Sequence, residues 1–283
     1  TANTLKVNTG ALVTAWATGN SMNTARQGPG AAGTQTAALG FGGQTENVES
    51  YNGTSWTEVN NLSGYKSFLG GAGTQTAALG FGGVGPYPSP TVADTETWNG
   101  TNWTEVNNLN TARYLLGSCG VTNTAALAFG GTSSPQAVTE TWNGTNWTEV
   151  NDLNTARNAL AGAGTNTAAL GFGGYNPLRA QTELWNGTNW TEVNDLNTAR
   201  RNLAGAGTST AALGFGGTPG GALTETWNGT NWTETADLNT ARQSLGGCGI
   251  NTAALAFGGE VPPNTAATEE WSISGGTVTI TTD

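Results

Sequence analysis

One phrase, fullest as TWNGTNWTEVNDLNTARNALAGAGTNTAALGFGG at residues 141–174, returns six times along the 283-residue chain. The phenylalanine of its Gly-Phe-Gly-Gly or Ala-Phe-Gly-Gly ending stands at Phe41, Phe81, Phe129, Phe172, Phe215 and Phe257, a spacing of 40 to 48 residues. Repeats of this length build solenoids, propellers or arrays, because one such unit cannot bury its apolar face alone and must stack on its neighbours. The contents of the unit choose among these.

Each unit reads as four short strands separated by turns. Residues 157–164 begin a strand of small residues, Thr165 and Asn166 turn it, and residues 167–172 return to Phe172. Gly173-Gly174 ends that strand, an irregular loop follows, and residues 181–185 form a third. Asn186-Gly187 predicts a two-residue type I′ hairpin, which needs positive φ at both central positions, and a fourth strand starts near Trp190. Equivalent pairs stand at Asn52-Gly53, Asn99-Gly100, Asn143-Gly144 and Asn228-Gly229, with Gly275-Gly276 in the last unit. The same asparagines match a glycosylation pattern, but turn chemistry already accounts for them.

Four short strands per unit of about 40–50 residues make a propeller blade. The fold expected is all-β, a six-bladed propeller of four-stranded antiparallel blades. It forms one domain over residues 1–283, with blade cores near 26–62, 66–109, 113–153, 157–196, 200–238, and 242–283 plus 11–17. The Gly and Ala of each first strand suit an innermost position, where blades converge. All eleven Trp fall in the repeat frame, with Tyr51 in the one remaining place, so they read as packing between adjacent sheets.

Closure is written at the termini. The last unit lacks the TNWTEVNDLNTAR phrase, and residues 14–26, TAWATGNSMNTAR, supply its equivalent with Trp16 and Arg26 at the usual spacing. The N-terminal strand is therefore expected to complete the last blade and remove an open sheet edge. Two alternating segments are left over, Thr4 to Asn8 and Thr277 to Thr282, and the second could compete for the same outer position.

Composition excludes several function classes. The net charge of −10 argues against nucleic acid, whose phosphates require a basic surface. No apolar run approaches the roughly 18 residues of a membrane-spanning helix, so no membrane insertion is expected. The two cysteines, Cys119 and Cys248, share one repeat position that is alanine elsewhere, in opposite blades. They are expected as free buried thiols. No histidine occurs in the chain, which removes histidine base chemistry and common zinc sites. The expectation is no catalytic residues, no metal and no cofactor.

A basic residue before the first strand, a double Gly after the second, a Glu two residues before an aromatic on the third and a Trp on the fourth together resemble the kelch repeat. The basic residues are Arg26, Lys66, Arg113, Arg157, Arg200 and Arg242, and the glutamates are Glu49, Glu96, Glu140, Glu183, Glu225 and Glu269. The wording of the repeat also resembles kelch-like structural proteins of marine phages. The resemblance implies a propeller used as a protein-binding or lectin-like module, and more rarely as an enzyme. Copper-radical oxidases of this type need His ligands that this chain does not have.

Two sets of residues are candidates for a site. The six basic residues could form a positive collar beside the axis, or each could pair with its blade's glutamate and hold the strands. The second reading is preferred because both rings are complete. Variation points elsewhere: the loop after each double Gly differs in every blade, and loops on a rigid scaffold carry recognition. Tyr87, Pro88, Tyr175 and Arg179 are the ligand-binding candidates.

The function expected is a non-enzymatic binding or structural module, on a phage tail or fibre or another extracellular structure. Its partners would be a protein or glycan on a surface, or other virion subunits. The alternatives are a lectin with one sugar site per blade, using Trp, Arg and Glu, and a cellular kelch adaptor for an acidic peptide.

Overall fold

The computed structural model describes residues 3–86, 90–132, 134 and 136–282. Among them, six four-stranded antiparallel sheets stand around an axis, with no helix. Blade four is representative, running outward as Ala161–Gly164, Ala169–Phe172, Thr182–Trp185 and Trp190–Val193. The inner strands of successive blades lie side by side, and Gly30–Thr34 meets Gly246–Ile250 to close the ring.

The sixth blade is composite. Its Gly246–Ile250, Ala253–Phe257 and Thr268–Thr282 strands are joined by Asn3–Gly19 as the outer strand, with Trp16 opposite Trp271 and Gly19 opposite Thr268. The two leftover segments do not compete. They pair with each other, Thr4 with Thr281 through Asn8 with Thr277, and extend the blade's outer edge as a ribbon.

Two turn expectations are corrected. Gly275-Gly276 makes no hairpin; the strand runs through it, with Gly275 opposite Leu12 and a register shift between Asn8 and Leu12. Its partner strand arrives from the other terminus, so the chain has nothing to fold back onto. The Asn-Gly hairpins have four-residue loops rather than two-residue type I′ turns: Trp185 pairs with Trp190, and Asn186 N–H bonds Asn189 C=O at 3.2 Å. Only Gly187 has positive φ, at 92°. Asn186 Oδ1 instead accepts from the Thr188 and Asn189 amides, both at 2.9 Å, an Asx turn that replaces the backbone geometry of a tighter one.

Crowding at the axis explains the small first strand. A Cβ on Gly71, Gly162 or Gly205 would lie 2.4 to 2.5 Å from a backbone oxygen of the preceding blade. Bulk is placed farther out. Each outer-strand Trp packs on the Phe of the preceding blade, as Trp190 does on Phe129 with ring centroids 4.9 Å apart. In five of the six blades its indole N–H donates to a threonine on that blade's third strand, for Trp190 to Thr139 at 3.0 Å. On the rim, Asn151 Nδ2 donates to Thr188 C=O and Asn189 Oδ1 of the next blade, and the clasp recurs from Asn60, Asn107 and Asn194. These bonds give the recurring Trp, Thr and Asn of the phrase their structural purpose.

Candidate functional site

The basic ring lies inside the blades. Arg26, Arg113, Arg157 and Arg200 are fully buried, Arg242 and Lys66 nearly so, and each pairs with its blade's glutamate. Arg200 is typical: Nη2 donates to Glu225 Oε1 at 2.9 Å, and Nη1 to the Gly216 and Leu223 carbonyls at 2.9 and 2.7 Å. Glu225 Oε2 accepts from both the backbone and side-chain nitrogens of Asn197, the Asn of Asn-Thr-Ala-Arg. Burial pulls the Arg200 guanidinium below its ordinary pKa, and the Glu225 charge opposes that shift. The arrangement anchors the chain between an outer strand and the next inner strand. It presents no collar of charge to the axis.

The cysteines line a channel. Cys119 and Cys248 join Ala32, Ala72, Ala163 and Ala206 around an axial cavity of about 330 Å³ at the turn-bearing pole. Both are free and buried, and burial pushes each thiol up to about 12. Toward the other pole the space falls to about 90 Å³, between Pro29 and Leu69, Leu116, Leu160, Leu203 and Leu245.

That second pole is closed by a ring of backbone hydrogen bonds. Phe68 N–H donates to Gly28 C=O at 2.7 Å, Leu115 to Phe68 at 3.0 Å, Ala159 to Leu115 at 2.7 Å, Asn202 to Ala159 at 2.9 Å, Ser244 to Asn202 at 2.8 Å and Gly28 to Ser244 at 2.8 Å. All six residues have left-handed φ, between 53° and 64°. That conformation costs a non-Gly residue roughly 1–2 kcal/mol, and here it aims every amide at its neighbour's carbonyl. The ring pairs its own amides and carbonyls, so the polar groups this pole leaves free are those of side chains.

Those side chains are the variable ones. Inner strands start and second strands end at this pole, so the loops after each double Gly gather here. The residue after each basic residue also varies, with five identities over the six blades: Gln27, Ser67, Tyr114, Asn158, Arg201 and Gln243. The two variable columns touch. Antiparallel bridges join Ser67 to Val84, Asn158 to Tyr175, Arg201 to Thr218 and Gln243 to Glu260, and Thr132 N–H bonds Tyr114 C=O at 2.7 Å.

The result is a rosette with two unlike arcs. Across blades six and one, Gln27 and Gln243 donate to Glu260 Oε2 at 2.7 and 2.9 Å, Gln44 donates to Gln27 at 2.8 Å, and Asn264 to Gln44 at 2.9 Å. Across blades four and five, the Arg201 guanidinium lies 4.2 Å from the centre of the Tyr175 ring. Arg179 is tied to the same place: Gly174 accepts from its N–H at 2.9 Å, and its C=O accepts from Arg200 at 3.0 Å.

Of the loop candidates, Tyr175 and Arg179 stand on one loop, closed by the Arg179 N–H to Gly174 C=O bond, with Tyr175 41% exposed. Tyr87 and Pro88 lie outside the described residues. The loop argument overlooked Arg201, Tyr114 and the Gln27–Gln243–Glu260 cluster. The signal was available: the column after the basic residue varies as freely as the loops do, within an otherwise copied phrase.

Fold and rosette define a six-bladed β-propeller with one variable pole. In comparisons with known proteins the chain matches no family model and no curated protein. Its structure is similar to that of YjhT, with a TM-score of 0.75, at 11% sequence identity, covering 90% of this chain and 99% of that one. At that identity the likeness concerns the fold.

Proposed function

We propose that this propeller is a non-enzymatic binding or structural module of an exposed assembly, such as a phage tail or fibre or another extracellular structure. It recognises a surface ligand through its variable pole. One observation carries the reading: the scaffold uses the recurring residues of the phrase internally, and variation concentrates in two columns that meet at one pole. A rigid ring presenting loops of different chemistry is how recognition surfaces are built.

The other readings have less support. A sugar site in every blade would use the repeated Trp, Arg and Glu, and these are occupied between and within blades. An acidic-peptide adaptor using the basic ring meets the same obstacle. The kelch-like repeat and the phage-like wording of the phrase favour a structural or binding role, and a chain without histidine gives acid–base catalysis little to work with.

The test is labelling of surfaces. Fluorescent propeller is applied to cells from the source environment, and antibody against it to purified particles for electron microscopy. Decorated particles, together with cell labelling lost when Tyr175→Ala and Arg179→Ser are combined, are the expected result. Neither decoration nor labelling would overturn the reading.

A further inference from the structure

The axial cavity at the turn-bearing pole breaks the sixfold pattern in one place. Two residues after the cavity alanine, four blades carry Thr34, Thr74, Thr165 and Thr208; blades three and six, with Cys119 and Cys248 instead of alanine, carry Val121 and Ile250. Both line the cavity, on opposite sides of the ring, and are 60% and 51% exposed at its rim. Polar side chains beside the rim turn away from it. Gln35, Gln75 and Asn123 each donate to the preceding blade, to Trp271 C=O at 2.6 Å, Ser50 Oγ at 2.9 Å and Thr97 Oγ1 at 3.1 Å. Among the described residues, none that lines the cavity carries a charge. The two thiols stay protonated, each donating to a carbonyl of the next blade, Thr165 at 3.5 Å and Thr34 at 3.7 Å.

We propose that this cavity binds a small uncharged apolar molecule, an aliphatic chain or a ring, held between Val121 and Ile250 at the mouth and the collar of alanines and cysteines below. The site is separate from the variable pole and does not depend on the role given to it. Its size fits: about 330 Å³ is roughly twice the ~150 Å³ of a cavity that takes up benzene, and lies at the small end of the roughly 300–1,000 Å³ of small-molecule pockets. The chemistry fits as well. An ion would find no counter-charge, and a saccharide would find few partners for its hydroxyls in a mostly apolar wall. An apolar guest has no such groups to satisfy, and its entry releases water from that wall. Aliphatic side chains left facing water where the repeat otherwise has threonine gain nothing in the free protein, and a guest between them would cover both.

The experiment is titration with 1-hexanol, cyclohexanol and, as the polar counterpart, glycerol, followed through the methyl signals of Ile250, Ala163 and Ala206 by nuclear magnetic resonance. Saturable shifts with the first two and none with glycerol are expected. Val121→Thr and Ile250→Thr combined restore the residue of the other four blades, and the alanine signals then report binding. It should weaken about tenfold or more with melting unchanged. Ala163→Leu, which puts bulk into the cavity, should abolish it; if that variant misfolds, the threonine pair decides. Tyr175→Ala, on the other pole, should leave binding as it was. No saturable shift with either alcohol, equal shifts with glycerol, binding indifferent to the threonine pair, or binding lost with Tyr175→Ala would each overturn the proposal. None of these results would touch recognition at the variable pole, which surface labelling tests separately.

Discussion

Trp103 and Val48 share one core cluster, and the Trp103 indole N–H is buried there with no acceptor. At the place of Val48 the other five blades carry a threonine, and Thr95, Thr139, Thr182, Thr224 and Thr268 each accept an indole N–H at 2.9 to 3.0 Å. Val48→Thr, nearly equal in shape, is expected to raise stability by about 1 kcal/mol. The reverse change, Thr139→Val, should cost Trp190 its acceptor and about 1–3 kcal/mol. Urea unfolding of the two variants checks both signs.

Arg200→Gln should be severe. It leaves Glu225 buried without its cationic partner and takes a donor from the Gly216 and Leu223 carbonyls, a loss of about 3–5 kcal/mol. Neutralising Glu225 as well should not restore stability, because the Gly216 carbonyl loses its guanidinium donor and the Leu223 carbonyl keeps only the Gly216 N–H. Melting temperatures of the single and double variants decide whether the pair acts structurally; an unchanged melting temperature in Arg200→Gln would contradict the role given to the ring.

The thiols give a pH test. With Cys119 and Cys248 pushed up to about 12, both stay protonated in the folded protein at pH 8, while unfolded thiols ionise near 8.5–9. A disulfide reagent at pH 8 should therefore label two thiols in urea and none in buffer. Because the folded state holds these protons longer, the thiols lower stability as pH rises from about 9 toward 12. Replacing both with Ala, the residue of the other four blades, should flatten that decline.

Ala159 is held at a φ of 54°. Ala159→Gly should relieve roughly 1–2 kcal/mol of left-handed strain against an entropy cost of about 0.5–1 kcal/mol, for a small net gain where Gly substitutions usually destabilise. Chemical denaturation detects it. A loss of 1 kcal/mol or more would mean the methyl group contributes packing that outweighs the strain.

The blade plan was legible because it is copied: Trp16 and Arg26 keep their spacing even when moved to the far end of the chain, so the seam could be read without coordinates. Local signals misled where the partner strand decides. Gly275-Gly276 has the composition of a turn, but a strand reverses only if its continuation pairs back, and here Asn3–Gly19 had taken that place. The Val48 exception was invisible for a related reason, since no spacing says which blade's threonine meets which indole. Arg201 was missed because it follows a repeated residue directly, inside what looks like scaffold.

The backbone ring at the variable pole also bears on how such a chain evolves. Tandem repeats gain and lose copies readily by unequal recombination, and an open solenoid absorbs the change at its ends. A closed circuit of six amides has no end at which to absorb it. An inserted or deleted repeat would break one bond and misdirect the rest, so natural selection can edit the loops of this protein freely while its copy number stays fixed.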